Sequence, residues 1–140
     1  MSDRVYLWDH WVAQTKVMYA DGIITYKAPK SPFRKQFKKL AKETDLKFER
    51  VKKVKDADII CEYSTVYVDG SYTTRYYDGS YLIQVDPLYD DLNLEAHEIG
   101  HTLGLVDNYR DNSVMNRMNA YSEDRMWLSP FDLNNIDNLL

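Results

Sequence analysis

The stretch HEIGHTLGLVD, residues 97–107, constrains this chain more than any other part of its sequence. On an α-helix, His97 and His101 are four residues apart and therefore share one face, about one turn from each other. Two imidazoles in this arrangement can hold one small cation, and Glu98 lies beside them, close enough to act on a metal-bound water. Gly104 can adopt a positive φ, which ends the helix and turns the chain back.

A third ligand is expected three residues after this glycine, where Asp107 stands. Two neutral nitrogens, one carboxylate and an open fourth position are typical of a catalytic zinc site. The chain has three histidines, and the one outside the motif, His10, is interpreted as structural because aromatic residues flank it. Asp111 and Glu95 are alternative third ligands, but neither lies where the glycine turn would deliver it.

The same stretch resembles the extended zinc motif of the metzincin metallopeptidases, with an aspartate where most members have histidine. It is similar in this to the snapalysin-type enzymes, and Tyr109, two residues after the aspartate, strengthens the likeness. SVMN at 113–116 resembles the metzincin Met-turn and identifies Met115 as the methionine under the metal. Residues 46–63 and 128–140 resemble the strand pair and the C-terminal helix of matrixins.

This resemblance implies an α+β, zincin-like fold: a small twisted mixed β-sheet with an active-site helix, a backing helix and a C-terminal helix. It implies a zinc endopeptidase with one catalytic Zn²⁺ held by His97, His101 and Asp107. Glu98 is expected to take the proton from the zinc-bound water and pass it to the leaving amine. Tyr109 is expected to donate to the oxyanion or to bind the metal, unless it only packs beside the loop.

The expected partner is a protein or peptide substrate that lies extended along a sheet edge somewhere in 64–77. One alternative is a catalytically weak zinc-binding module that recognises extended peptides. Glu98 argues for the enzyme, because a pure binder has no need of a general base. Another alternative is a zinc peptidase of the thermolysin kind with a distant glutamate ligand, and the turn at Gly104 argues against it.

Length and charge limit the remaining function classes. A length of 140 residues predicts a single domain over 1–140, which the resemblance implies is a metzincin-like catalytic domain, and we expect it to be monomeric. The net charge of −4 gives no global attraction to nucleic acid or to an anionic membrane. No stretch approaches the ~18–20 apolar residues of a membrane span. Lysines and arginines concentrate in 27–55, which we interpret mainly as the solvated face of a helix.

The cysteine content and the N-terminal sequence indicate the cellular compartment in which the protein is expected. Cys61 is the only cysteine, so no internal disulfide can form, and its apolar surroundings in sequence predict a buried small side chain. The N-terminus lacks the charged-then-apolar pattern of a signal peptide. We therefore expect an intracellular protein or a mature form without its leader.

The hydrophobic pattern predicts the order of the elements. Phe33, Phe37, Leu40 and Ala41 form one apolar face of a helix that runs to about residue 44, with Ser31 as its cap and Pro32 at its first position. The other predicted elements are strands at 5–8, 16–20, 23–26, 46–51 and 57–63, a meander over 66–86, a helix over 92–103 capped by Asn93, a loop over 105–128, and a last helix from Ser129 and Pro130.

Two Asp-Gly pairs, at 69–70 and 78–79, resemble the acidic calcium loops of matrixins, and this resemblance would imply a structural Ca²⁺ site. Calcium takes six to eight oxygen ligands, and these segments lack that density of carboxylates. Asp-Gly is also a strong hairpin signal between alternating residues. We therefore interpret both pairs as turns, in preference to calcium loops.

Overall fold

The computed structural model describes residues 20–30, 33–65, 70–76, 78–89 and 93–139. The predicted strands at 5–8 and 16–20, His10, and the predicted helix start at Ser31 and Pro32 lie outside the described residues, apart from Ala20 at the end of the second strand.

Within the residues that the structure describes, five strands form one mixed sheet: β1 (Ile23–Lys27), β2 (Lys47–Arg50), β3 (Ile59–Tyr63), β4 (Ser71–Arg75) and β5 (Tyr81–Val85). Their order across the sheet is β2-β1-β3-β5-β4. The pairs β1–β2, β1–β3 and β3–β5 are parallel. Strand β4 pairs antiparallel with β5, with Ser71 opposite Val85 and Arg75 opposite Tyr81. Among the described strands, β4 therefore lies at one edge of the sheet.

Alternation along β5 shows which face of the sheet carries the core. Tyr81, Ile83 and Val85 are each fully buried, while the residues between them are half-buried. Ile59 and Cys61 of β3 are buried in the same alternating pattern. Desolvation in this environment raises the pKa of the Cys61 thiol well above its ordinary value. The prediction of a buried, apolar cysteine is thus confirmed.

The first helix, α1 (Phe33–Glu43), confirms the predicted amphipathic helix with one correction. Phe33, Phe37 and Leu40 are fully buried, as the apolar spacing predicts, and Phe37 stacks on Tyr26 with ring centroids 4.0 Å apart. Ala41 is exposed, and the buried face includes Gln36 instead. The spacing of apolar residues could not predict this exchange of Ala41 for Gln36, because it does not show exactly which side of the helix packs against the core.

In the described ranges, three further α-helices follow the sheet: α2 (Leu94–Thr102), α3 (Arg117–Ala120) and α4 (Pro130–Leu139). Helix α4 begins as predicted, since the Asp132 carboxylate accepts from the Ser129 N–H and the Asp132 N–H donates to the Ser129 hydroxyl. The predicted loop at 105–128 contains α3 and a single bridge between Asn108 and Asn116. In the described part of the chain, none of the helices has the length and apolar character to cross a membrane.

Asn93 stands at the N-cap position of α2, as predicted, but its side chain bonds the following loop and not the helix. It occupies the position before α2, but its side chain makes no capping hydrogen bond. Its amide instead donates to the carbonyls of Asn119, Ser122 and Asp124, and its Oδ1 accepts from the Met126 N–H at 2.9 Å. The fully buried side chain therefore ties the start of α2 to the loop that follows α3.

Both Asp-Gly pairs agree with the turn interpretation where they are described. Gly70 and Gly79 have φ of 74° and 96°, the left-handed region that glycine accepts most readily. The Asp78 carboxylate accepts hydrogen bonds from the Ser80 N–H and hydroxyl, and these bonds lower the pKa of Asp78. This carboxylate is occupied in closing its own turn.

Candidate metal centre

Helix α2 contains the first part of the motif, with both histidines and Glu98, and each residue of this helix is buried. It ends as the sequence predicts. Gly104 has a φ of 92°, its N–H donates to the His101 carbonyl, and the Leu105 N–H donates to the Gly100 carbonyl. This pair of bonds is the Schellman arrangement, which closes a helix and reverses the chain. The reversal returns Asp107 to the face that carries His97.

The three predicted ligands converge. Asp107 Oδ1 lies 3.2 Å from His97 Nε2 and 3.3 Å from His101 Nε2. The two Nε2 atoms lie 3.1 Å apart, and the rings meet edge to face. Of the alternative third ligands, Asp111 is exposed in the loop, and Glu95 is buried one residue after the start of α2.

The other ring nitrogens of both histidines are held by the backbone. His97 Nδ1 lies 2.8 Å from the Val114 carbonyl, and His101 Nδ1 lies 2.9 Å from the Leu105 carbonyl. A carbonyl can only accept, so each Nδ1 carries the hydrogen and each Nε2 presents its lone pair to the cluster. Metal-binding histidines are typically oriented in this way by a second set of partners.

These donors fit a zinc ion. At Zn–N and Zn–O distances of about 2.0–2.1 Å, tetrahedral ligands lie about 3.3–3.4 Å apart, close to the separations observed here. Imidazole and carboxylate together suit zinc and its neighbours among the transition metals better than they suit calcium or magnesium. The side chains of His97 and Asp107 are 8% and 20% exposed, so the cluster is buried but reachable from solvent.

Glu98 lies beside the cluster and is held by strand β4. Its Oε2 accepts from the Ser71 hydroxyl at 2.9 Å, and its Oε1 accepts from the Thr73 hydroxyl at 2.6 Å. Its Oε2 lies 4.0 Å from His97 Nε2, farther than the three ligand atoms lie from one another. Sequence reasoning missed Ser71 and Thr73, although residues i and i+2 of a strand share one face.

Met115 and Tyr109 lie in very different environments. Met115 is fully buried, and a Cβ added to Gly100 of helix α2 would lie 2.5 Å from its Sδ. The methionine thus packs against the helix turn between the two histidines. Tyr109 is 94% exposed, which excludes a packing role, and among the described residues its phenol has no hydrogen-bond partner. Catalytic roles for Tyr109 and Glu98 stay predictions.

Comparison with known proteins shows the fold only. No family model matches the chain, and no curated protein matches it. Among solved structures, the chain resembles one described as the GM1 bound form of the ECX AB5 holotoxin. The TM-score is 0.61, the sequence identity is 15%, and the match covers 89% of this chain and 82% of that chain.

This likeness corrects the family and the fold class. The fold is matched by a chain of an AB5 holotoxin, and on this comparison the assignment to the metzincins, with a zincin-like fold, is wrong. The reason is physical: the motif at 97–107 and the short stretches at 46–63, 113–116 and 128–140 each specify local structure, and local structure does not determine the whole sheet or a reaction.

The functional predictions built on that family are corrected with it. The predicted zinc endopeptidase, its classification as a hydrolase, and the alternative of a peptide-recognising module all depended on the metzincin resemblance, and the holotoxin likeness overturns them. The prediction of a monomer that binds an extended peptide rested on the same family and is corrected with it.

Proposed function

We propose that this chain is a zinc-binding protein whose one Zn²⁺ is held by His97, His101 and Asp107. The observation that carries this proposal is the convergence of three donor atoms, from a buried helix and the loop after it, at mutual distances of 3.1–3.3 Å. Backbone carbonyls fix both imidazoles with Nε2 directed toward the cluster. Such preorganisation lowers the cost of assembling a metal site.

The proposed function of the centre is to bind a ligand through the metal. Three protein donors leave a zinc ion with a position for an oxygen or nitrogen atom from outside the protein. When bound, zinc would supply a Lewis-acid contact for such an atom. The surrounding residues would contribute a buried environment in which that contact is less screened by water than at an exposed site.

Metal titration with matched variants tests this proposal. The metal-free protein is titrated with Zn²⁺ against a chromophoric chelator, and we expect one tight site per chain. Asp107→Ala should weaken zinc binding by at least about tenfold, because it removes one of three ligands. Asp111→Ala is the matched control, since Asp111 is exposed in the same loop and should leave the affinity unchanged. Equal affinity in the Asp107→Ala variant would contradict the assignment.

Glycan binding is a second candidate function. The similar holotoxin structure is described as GM1 bound, and this chain exposes several tyrosine rings. Tyr109, Tyr72 and Tyr89 are 94%, 58% and 44% exposed. Exposed rings that are amphipathic and rigid are frequent at recognition surfaces. Co-sedimentation with vesicles that contain GM1 tests this candidate, and equal binding to vesicles without GM1 would contradict it.

A further inference from the structure

Strand β4 places two hydroxyl groups on the carboxylate next to the proposed metal centre. Ser71 and Thr73 are both buried, and each donates to a different oxygen of Glu98, at 2.9 Å and 2.6 Å. Thr74, between Thr73 and Arg75 on the same strand, belongs to the opposite face. The two hydroxyls therefore form a specific clamp, defined here as Ser71 and Thr73 acting on Glu98.

Without this clamp, Glu98 would compete for the metal. Its carboxylate belongs with His97 and His101 to a group of donor atoms that all lie within 4.8 Å of one another. Carboxylates are common zinc ligands, and structural zinc sites close all four positions with protein donors. A shift of the carboxylate toward the cluster would make Glu98 a fourth ligand.

Hydrogen bonds to a charged acceptor oppose that shift. Bonds from hydroxyl groups to an ionised carboxylate are short and stronger than bonds between neutral groups. The clamp uses one bond on each oxygen, so moving the carboxylate onto a metal would strain or break both. The two hydroxyl donors also lie on β4, which five residue pairs hold in register with β5. This pairing limits how far the hydroxyls could move with the Glu98 carboxylate.

We propose that Ser71 and Thr73 are positioning residues that hold Glu98 off the metal and so keep one coordination position open. This inference rests on the proposed zinc centre. It adds the reason why the metal would keep a position for an outside ligand and would not form a closed structural site. It predicts that the clamp affects the coordination of the metal through Glu98 alone.

Cobalt substitution provides a measurement that would not change if Ser71 and Thr73 served only to stabilise the fold. The protein is loaded with Co²⁺, and its visible absorption is recorded during titration with azide, which occupies an open position on the metal. The wild type should bind one Co²⁺ and respond to azide. Ser71→Ala/Thr73→Val should retain Co²⁺, but its apparent Kd for azide should rise by about tenfold or more, the usual size of effects from residues behind the ligands.

Three further variants isolate the mechanism. Adding Glu98→Ala to the double variant should restore azide binding, because the competing carboxylate is gone. Ser71→Thr/Thr73→Ser keeps both hydroxyls and should behave as wild type. Thr74→Val, on the other face of β4, is the matched control. The single variant Thr73→Val, which preserves side-chain shape, replaces the double variant if that protein does not fold.

The outcomes separate this inference from the proposed function. A wild-type protein that binds no Co²⁺ overturns both. A wild type that binds Co²⁺ and azide, with a double variant that binds azide equally well, overturns only the clamp. Failure of Glu98→Ala to restore azide binding also overturns it, because the effect would not act through Glu98.

Discussion

At the scale of the residue, Gly100 decides how closely Met115 can approach the helix that carries both histidines. A Cβ at this position would lie 2.5 Å from the Met115 Sδ and 3.2 Å from its Cε, too close without movement. The methionine is fully buried, so it has little room to give way. Gly100 therefore allows Met115 its present position, and any larger residue there would force the methionine side chain to move, although a glycine in a helix interior is unfavourable in itself.

We expect Gly100→Ala to lower the free energy of unfolding by about 1–3 kcal/mol, the usual cost of overpacking. This sign is informative, because glycine to alanine in an unhindered helix stabilises by about 0.8–1.0 kcal/mol. Urea denaturation measures the change. In a Met115→Ala background the same substitution should become neutral or stabilising. Destabilisation of the same size in both backgrounds would show that Met115 is not the cause.

Cys61 is expected to be inert in the folded protein. It is 2% exposed, and its raised pKa leaves less of the reactive thiolate at a given pH than an ordinary cysteine has. Alkylation with iodoacetamide at pH 8 should be at least about tenfold slower in the native protein than in denaturant. Equal rates, followed by mass spectrometry, would show that the thiol is accessible.

At the scale of the element, one fully buried side chain ties the loop after α2 to the start of that helix. Asn93 bonds three carbonyls and one N–H between residues 119 and 126. We expect Asn93→Ala to destabilise the fold by about 1–3 kcal/mol, because four partly buried backbone groups lose their partner. Thermal and urea denaturation measure this change. The exposed Asn112→Ala, the control, should stay within about 0.5 kcal/mol, and an equally small effect for Asn93→Ala would contradict this account.

Local sequence patterns predicted the elements better than the contacts between them. The helix at Phe33–Glu43 followed from apolar spacing, and the end of α2 at Gly104 followed from the need for a positive φ. The role of Asn93 was missed because an asparagine before a helix suggests a cap, and its true partners lie 26 to 33 residues away. The spacing of residues in the sequence gives no information about hydrogen bonds between residues so far apart.

In the candidate site, too, local structure could be predicted from the sequence and long-range contacts could not. The convergence of His97, His101 and Asp107 could be predicted because a helix and one turn determine all three positions. The contact of Ser71 and Thr73 with Glu98 could not, because it depends on β4 lying at the sheet edge beside α2. The family and activity were mistaken for a related reason: the zinc motif and a few short stretches resembling a family describe local structure and not a whole fold.

At the scale of the whole molecule, the proposed metal joins helix α2 to the loop that carries Asp107, so binding should stabilise the folded chain. Free zinc at a hundredfold excess over its Kd would stabilise the folded state by about 2.7 kcal/mol. For a chain of this size we expect removal of the metal by a chelator to lower Tm by about 5–10 °C. Differential scanning calorimetry measures this shift.

The Asp107→Ala variant supplies the control for that experiment. Its metal affinity should already be low, so chelator should change its Tm far less than it changes that of the wild type. A chelator effect of equal size in both proteins would mean that the stabilising metal binds elsewhere. An unchanged wild-type Tm, with loss of metal confirmed by elemental analysis, would show that the centre is not coupled to folding.

The most direct measurement of the central claim is an anomalous difference map at the zinc absorption edge from crystals of the zinc-loaded protein. We expect one peak per chain, about 2.0–2.2 Å from His97 Nε2, His101 Nε2 and an oxygen of Asp107. The Glu98 carboxylate should remain on the Ser71 and Thr73 hydroxyls. A map with no peak between these three side chains, from crystals that contain stoichiometric zinc, would contradict the account.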